Sequence, residues 1–238
     1  MHWRRKIFWL GCLASLGCEP EPGERYACRY QSTAPHECKL EIEFSPNPQS
    51  SPNMVIYEID RFHGVEPTTK QQRATEELVQ RSFEVAEKRG WHDIDRAVGD
   101  GYRQLFRDPV HFANEEFIMD DRILDPERPE YLMFYKTPKG TYLAGFMFVV
   151  RSPREEGPQV GGALTKWHYH VWSRPRCLRN GRITVGLSNE DGCSIGEPSD
   201  RSPEMIHLWL LDHPGGRFSR QMAVKRSLIM ELVEKRGF

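Results

Sequence analysis

The sequence predicts an α+β fold: helices first, then a mainly antiparallel sheet, and a helix at the C-terminus. Three observations carry this. Leu78, Val79, Phe83, Val85 and Ala86 recur at helical spacing. From Tyr131 onward, apolar runs alternate with turn signals, as strands do. Residues 220–236 are amphipathic, with Met222, Leu228, Ile229 and Leu232 near one face. Helices and strands come in blocks rather than as βαβ units, which favours antiparallel pairing.

The elements follow in order. Glu19-Pro20-Glu21-Pro22-Gly23-Glu24 resists regular structure and reads as a tether. Lys39 to Phe44 reads as a strand, Ser45 to Asn53 as a breaker run, and Met54 to Ile59 as a short strand. Thr68 or Thr69 caps a helix that Gly90 ends. Asp93 caps a second helix, broken at Gly99-Asp100-Gly101 and resumed from Tyr102 to Phe106. Strands follow at Tyr131 to Lys136 and Thr141 to Val150, around the turn Thr137-Pro138-Lys139-Gly140. Lys166 to Trp172, Arg182 to Ser188 and Met205 to Leu211 are the remaining strands. The division expected is a leader (1–17), a tether with a small disulfide-bearing arm (18–53) and a single α+β domain (54–238).

The N-terminus carries Arg4-Arg5-Lys6, then an apolar stretch from Ile7 to Leu16 that ends in Ser15-Leu16-Gly17-Cys18. A basic start, an apolar core of about ten residues and small residues at a boundary describe a secretory signal, too short to span a bilayer. Of the 33 basic residues, three leave with that segment, so 30 remain against 34 acidic ones, a formal charge of −4. That balance argues against a nucleic-acid partner, which needs a basic face.

Six cysteines divide along the same line. Cys12 leaves with the signal and Cys18 stands at its boundary. Cys28, Cys38, Cys177 and Cys193 remain, an even number outside the cytosol, which favours disulfides. Three pairings exist. The local one, Cys28 with Cys38 and Cys177 with Cys193, is the simplest, because each pair brackets a loop-like segment.

The chemistry concentrates in histidines. In Trp167-His168-Tyr169-His170, His168 and His170 project from one face of a strand, because side chains alternate. His207 lies in Met205-Ile206-His207-Leu208-Trp209, apolar on both faces, and is therefore expected to be buried. A buried imidazole needs partners for both nitrogens. A metal is one partner; a carbonyl or carboxylate is another, and both readings stay open. His111, in Asp108-Pro109-Val110-His111, is the expected fourth member. Imidazoles suit zinc, copper or iron alike, so a divalent transition metal is expected without its identity. Residues 115–130 are densely acidic and read as a solvated loop, with Glu130 the carboxylate set apart. Glu130, Glu204 and Asp212 are the acid–base candidates. No catalytic residue is assigned, and no Gly-x-Ser-x-Gly, phosphate loop or His-Glu-x-x-His helix is present. His213, before Pro214-Gly215-Gly216, reads as a turn residue.

Three resemblances add expectations. The segment ending at Cys18 resembles a bacterial lipoprotein signal, although Ser15 stands where that family usually has Leu. The resemblance implies lipidation at Cys18, attachment to a membrane through that anchor and a place in the cell envelope. Glu19 after the cysteine favours the outer membrane. The pieces His111-Phe112-x-Asn114, Gly161-Gly162-x-Leu164-Thr165-x-Trp167-His168-x-His170, Met205-Ile206-His207-Leu208-Trp209 and Pro214-Gly215-Gly216 resemble a set in secreted bacterial proteins without an assigned activity. Gly162 followed by His168-x-His170 is similar to the start of the first cupin motif, but Arg174 or Pro175 stands where that family has glutamate. The functions expected are therefore a metal-binding envelope lipoprotein of open activity, a metal-dependent hydrolase or cupin-like oxygenase, or a binding or structural lipoprotein without metal.

Overall fold

A computed structural model describes residues 24–29, 36–42, 54–62, 64–105, 108–181, 183–222 and 224–235. The leader, Cys18 and the breaker run at 45–53 lie outside the described residues, as do the side chains of Cys28 and Cys38.

The described residues form one antiparallel sheet with four α-helices. Three strands come first: β1 (Glu24–Arg29), β2 (His36–Ile42) and β3 (Met54–Asp60). The helices α1 (Thr69–Arg89) and α2 (Ile94–Gly99) follow. Next are β4 (Arg103–Gln104), β5 (His111–Ala113), α3 (Glu115–Met119), β6 (Tyr131–Thr137) and β7 (Gly140–Val149). The chain ends with β8 (His168–Arg179), β9 (Ile183–Leu187), β10 (Glu197–Arg201), β11 (Met205–Trp209) and α4 (Arg226–Lys235). Sheet order is β1-β2-β3-β8-β11-β7-β6-β5-β4, with β9 and β10 also paired to β8.

Helices-first is therefore not the order of the chain: three strands precede α1 and join the same sheet through β3 and β8. Two local expectations also change. Tyr102 to Phe106 does not resume α2. Gly101 turns the chain at φ +98°, and Arg103–Gln104 pairs with β5 instead. Part of the acidic stretch forms α3, because the Asn114 side chain caps it by accepting from the Phe117 N–H at 3.3 Å.

The helices form where their ends are signalled. Thr68 and Gln71 make a reciprocal capping box on α1, and Gly90 closes it in the left-handed conformation at φ +66°. Thr75, Ser82, Val85 and Ala86 are its buried stripe. That stripe, Trp91 and Ala97 cover one face of the sheet, against Phe112, Leu132, Phe146, Phe148, Ile206 and Leu208. Tyr131, Met133, Met147, Val149, Met205 and Trp209 form a second cluster, reached by Met222 and Val224. Alternation in β5, β6, β7 and β11 puts these two sets on opposite faces. Burial on both faces explains why β11 reads as a continuous apolar run.

At Gly145 a β-carbon would fall 2.5 Å from the Leu208 carbonyl oxygen and 2.6 Å from the Met133 methyl. The glycine lets β7, β11 and Met133 come together. Cys177 and Cys193 form a disulfide, as the local pairing expects. Backbone register sets Cys28 opposite Cys38.

Candidate metal centre

Strand register places all four candidate histidines on one face. His111 opposes Met133, Met133 opposes Gly145, and Gly145 opposes Trp209. His207 and Met205 share the face of Trp209, and Met205 opposes His168. His170 follows from alternation along β8. The face is the one that carries the methionine-rich cluster, away from α1 and α2.

The rings converge. His168 and His207 are 4.9 Å apart between centroids, His168 and His170 5.8 Å, and His111 and His207 6.1 Å. In a flat sheet β5 and β11 stand three spacings apart, about 14 Å. The sheet therefore curls toward this face, and both side chains lean inward. With metal–nitrogen bonds of about 2.0–2.1 Å, two imidazoles on one tetrahedral ion have centroids about 5 Å apart. The closest pair matches that spacing and the others are wider. Among the described residues no group of three or more His, Cys, Asp or Glu is placed so that it could hold a metal ion.

Burial sets the electrostatics. His168 and His207 are buried, whereas His170 and His111 keep partial exposure, although His170 is densely surrounded. Burial drives the His168 pKa down to about 3, and the neighbouring His170 and His111 rings add to the effect. Burial likewise takes His170 to about 4, helped by His111 and Arg176 and opposed by Asp108. His207 falls well below the ordinary range, through burial first and then the other three rings. At neutral pH these three rings are uncharged lone-pair donors, the form a metal requires.

The outer contacts point the same way. The His111 Nδ1 lies 2.7 Å from an oxygen of Asp108, so Nδ1–H donates to the carboxylate and Nε2 carries the lone pair. That Nε2 is buried without a hydrogen-bond partner. Asp108 also accepts from the backbone N–H of Val110 and His111. Burial raises its pKa, but these bonds outweigh it and the net shift is downward. The His207 Nδ1 lies 3.3 Å from the Ser219 carbonyl, to which Trp209 also donates at 2.6 Å. Neither nitrogen of His168 has a hydrogen-bond partner of good geometry. The Lys166 backbone acts on that ring in the opposite sense, toward protonation.

Of the acid–base candidates, none acts electrostatically on His168, His170 or His207. Glu204 is tied to Arg61 at 2.6 Å and to the Gly157 N–H at 2.9 Å. Asp212 is exposed and pairs with Arg217. Glu130 is buried and bears on Tyr102 and Tyr131. Glu58 stands cross-strand from His168 and contacts Arg220, while Asp108 is the carboxylate bonded to a histidine of the cluster, one the sequence does not single out. Its signal was there: an Asp three residues before a histidine, in a turn started by Pro109, can bond both the backbone and the ring. His213 takes the turn role expected of it, its Nδ1 accepting from the Gly215 N–H at 3.0 Å. Gly161 and Gly162 serve the packing of their loop on α1, where β-carbons would meet Thr75 and Gln71.

No family model, curated protein or solved structure matches this chain.

Proposed function

We propose that this is a lipid-anchored protein of the cell envelope that holds a divalent transition metal on His111, His168, His170 and His207. The observation that carries the reading is the fully buried His168 ring, with no partner of good geometry for either nitrogen beyond the Lys166 backbone contact, and with the His207 ring 4.9 Å away. Leaving a buried polar group unsatisfied costs about 1–3 kcal/mol, and a metal removes that cost for several rings at once. The Asp108–His111 bond matches the outer carboxylate that orients and polarises metal-bound imidazoles. Imidazole ligands leave zinc, copper and iron as alternatives.

Metal content of the full-length protein, purified without chelator, tests the reading. About one equivalent is expected, lost on His168→Ala with His170→Ala. A wild-type chain that takes up no metal from zinc, copper or iron salts refutes it. The anchor has its own test. Cys18→Ala should block lipidation and release the chain from the envelope or leave it unprocessed. Among the described residues no helix is long and apolar enough to cross a membrane.

A metal-dependent enzyme is the second reading, favoured by the partial exposure of His111 and His170. Buried His168 and His207 would hold the ion from below and leave a position open to solvent. Azide binding to the Co²⁺-substituted protein separates the two. A spectrum that ignores azide argues for a closed site.

A further inference from the structure

Strand register sets a methionine opposite three of the four candidate histidines. His111 on β5 opposes Met133 on β6. His207 on β11 opposes Met147 on β7, and His168 on β8 opposes Met205 on β11. The fourth, His170, opposes the aliphatic Ile56. Methionine fills 8 of the 238 positions in the chain, so three such pairings on one face are more than composition supplies by chance.

Directly opposed residues of an antiparallel pair project from the same face, with β-carbons about 4.5–5.5 Å apart. Each thioether is therefore within reach of the ring across from it. All three methionines are buried, and they belong to the apolar cluster on the histidine side of the sheet. Packing alone does not ask for sulfur there, because leucine fills such positions with better-defined rotamers. What methionine adds to an apolar face is a soft, polarisable donor. The rings opposite are short of partners. His168 has none of good geometry beyond the Lys166 backbone contact, and the His111 Nε2 is buried without a hydrogen bond.

Donor number and softness decide which ion this arrangement suits. A zinc-type shell of three or four ligands has to gather on binding, because no group of three or more His, Cys, Asp or Glu among the described residues is placed to hold an ion. Copper(I) has a filled d shell and is satisfied by two donors. Thioether sulfur favours it over the harder divalent ions. With metal–donor bonds of about 2.0–2.3 Å, a nitrogen and a sulfur on one two-coordinate ion stand about 4 Å apart. A ring and a thioether on opposed residues can span that distance.

We propose that this face binds copper(I) between the imidazole and the thioether of the opposed pairs His207–Met147 and His168–Met205, with His111–Met133 as a third pair nearer solvent. The proposal shares its histidines with the reading above. It names a different ion and a two-donor shell, so each can fail without the other.

The full-length protein in detergent is titrated anaerobically with copper(I) against chromophoric copper(I) chelators of graded affinity. Wild type should draw copper(I) from the weaker chelators, and X-ray absorption of the loaded protein should show nitrogen and sulfur neighbours. Met147→Leu with Met205→Leu conserves the packing volume and should lose both the competition and the sulfur signal. Should the double variant not fold, the two single substitutions carry the test, each with a partial loss. Wild type that leaves copper(I) with every chelator overturns the proposal, as does a variant that competes like wild type. Sulfur scattering that survives in the double variant comes from cysteine and overturns it too. Uptake of zinc or cobalt without copper(I) overturns it and leaves the divalent reading standing; uptake of copper(I) alone does the reverse.

Discussion

The His168 ring meets the His207 ring nearly edge to face, at 69° and 4.9 Å, although the two residues lie on different strands and 39 positions apart in the chain. Both are neutral at pH 7 and buried. The contact arises because Met205 opposes His168, which sets His207 two residues along on the same face.

Such a pair should be a liability without metal. His168→Leu removes two nitrogens that lack partners of good geometry and keeps most of the volume. Replacing a buried polar group by an apolar one of similar shape is neutral or stabilising. The metal-free variant should unfold at equal or higher urea concentration than wild type, by up to about 1 kcal/mol, and should lose stabilisation by added metal. A metal-free variant clearly less stable than wild type would show that His168 has a structural partner.

Asp108 should control affinity without touching the metal. Asp108→Asn keeps an acceptor for the backbone but gives up the charge that orients His111. Metal affinity should fall by about tenfold to a hundredfold. Competition with a chromophoric chelator measures this. An unchanged affinity would remove His111 from the ligand set.

The pH dependence has a definite sign. In the unfolded chain His168 and His170 titrate near pH 6.5, and in the fold at about 3 and about 4. Between those values the unfolded state binds more protons, so stability falls as pH is lowered. Above about pH 6.5 the two rings are neutral in both states and contribute no slope. Metal-free protein should lose unfolding free energy steadily from pH 6.5 to 4, read by urea denaturation at each pH. Metal binding by the folded chain at pH 6–7 should release few protons from these two rings. A stability profile flat across that window contradicts their burial as neutral bases.

Gly145 should be intolerant of a methyl group. Gly145→Ala drives a β-carbon into the Leu208 carbonyl and the Met133 methyl. Overpacking of this kind costs about 1–3 kcal/mol. Because β7 and β11 carry the floor of the histidine cluster, metal affinity should weaken as well. Thermal unfolding and metal titration of the variant check the two effects together.

Local signals in the chain were legible. The capping of α1 by Thr68, its end at Gly90, the β6–β7 hairpin, and a disulfide between Cys177 and Cys193 all depend on neighbours within a few turns or one loop. So did the candidate ligands, because alternation along β8 aligns His168 with His170 wherever the strand packs. What escaped was non-local. Strand β5 is three residues long and holds its shape by pairing with β6, so no periodicity announced it. Met54 to Ile59 reads as a strand, but the pairing of β3 with β8 was equally silent, because pairing partners are not written in a strand's own pattern.

Residue type and spacing thus established that four histidines in this chain were the ones to examine, since period-two alternation and apolar flanks are properties of a segment. Their assembly depended on sheet order and curl, which bring β5 within ring contact of β11. The place of Asp108 was decided at the same level: its carboxylate is turned onto His111. The physical reason is that hydrogen bonds and charge act through space, over distances that chain separation does not encode.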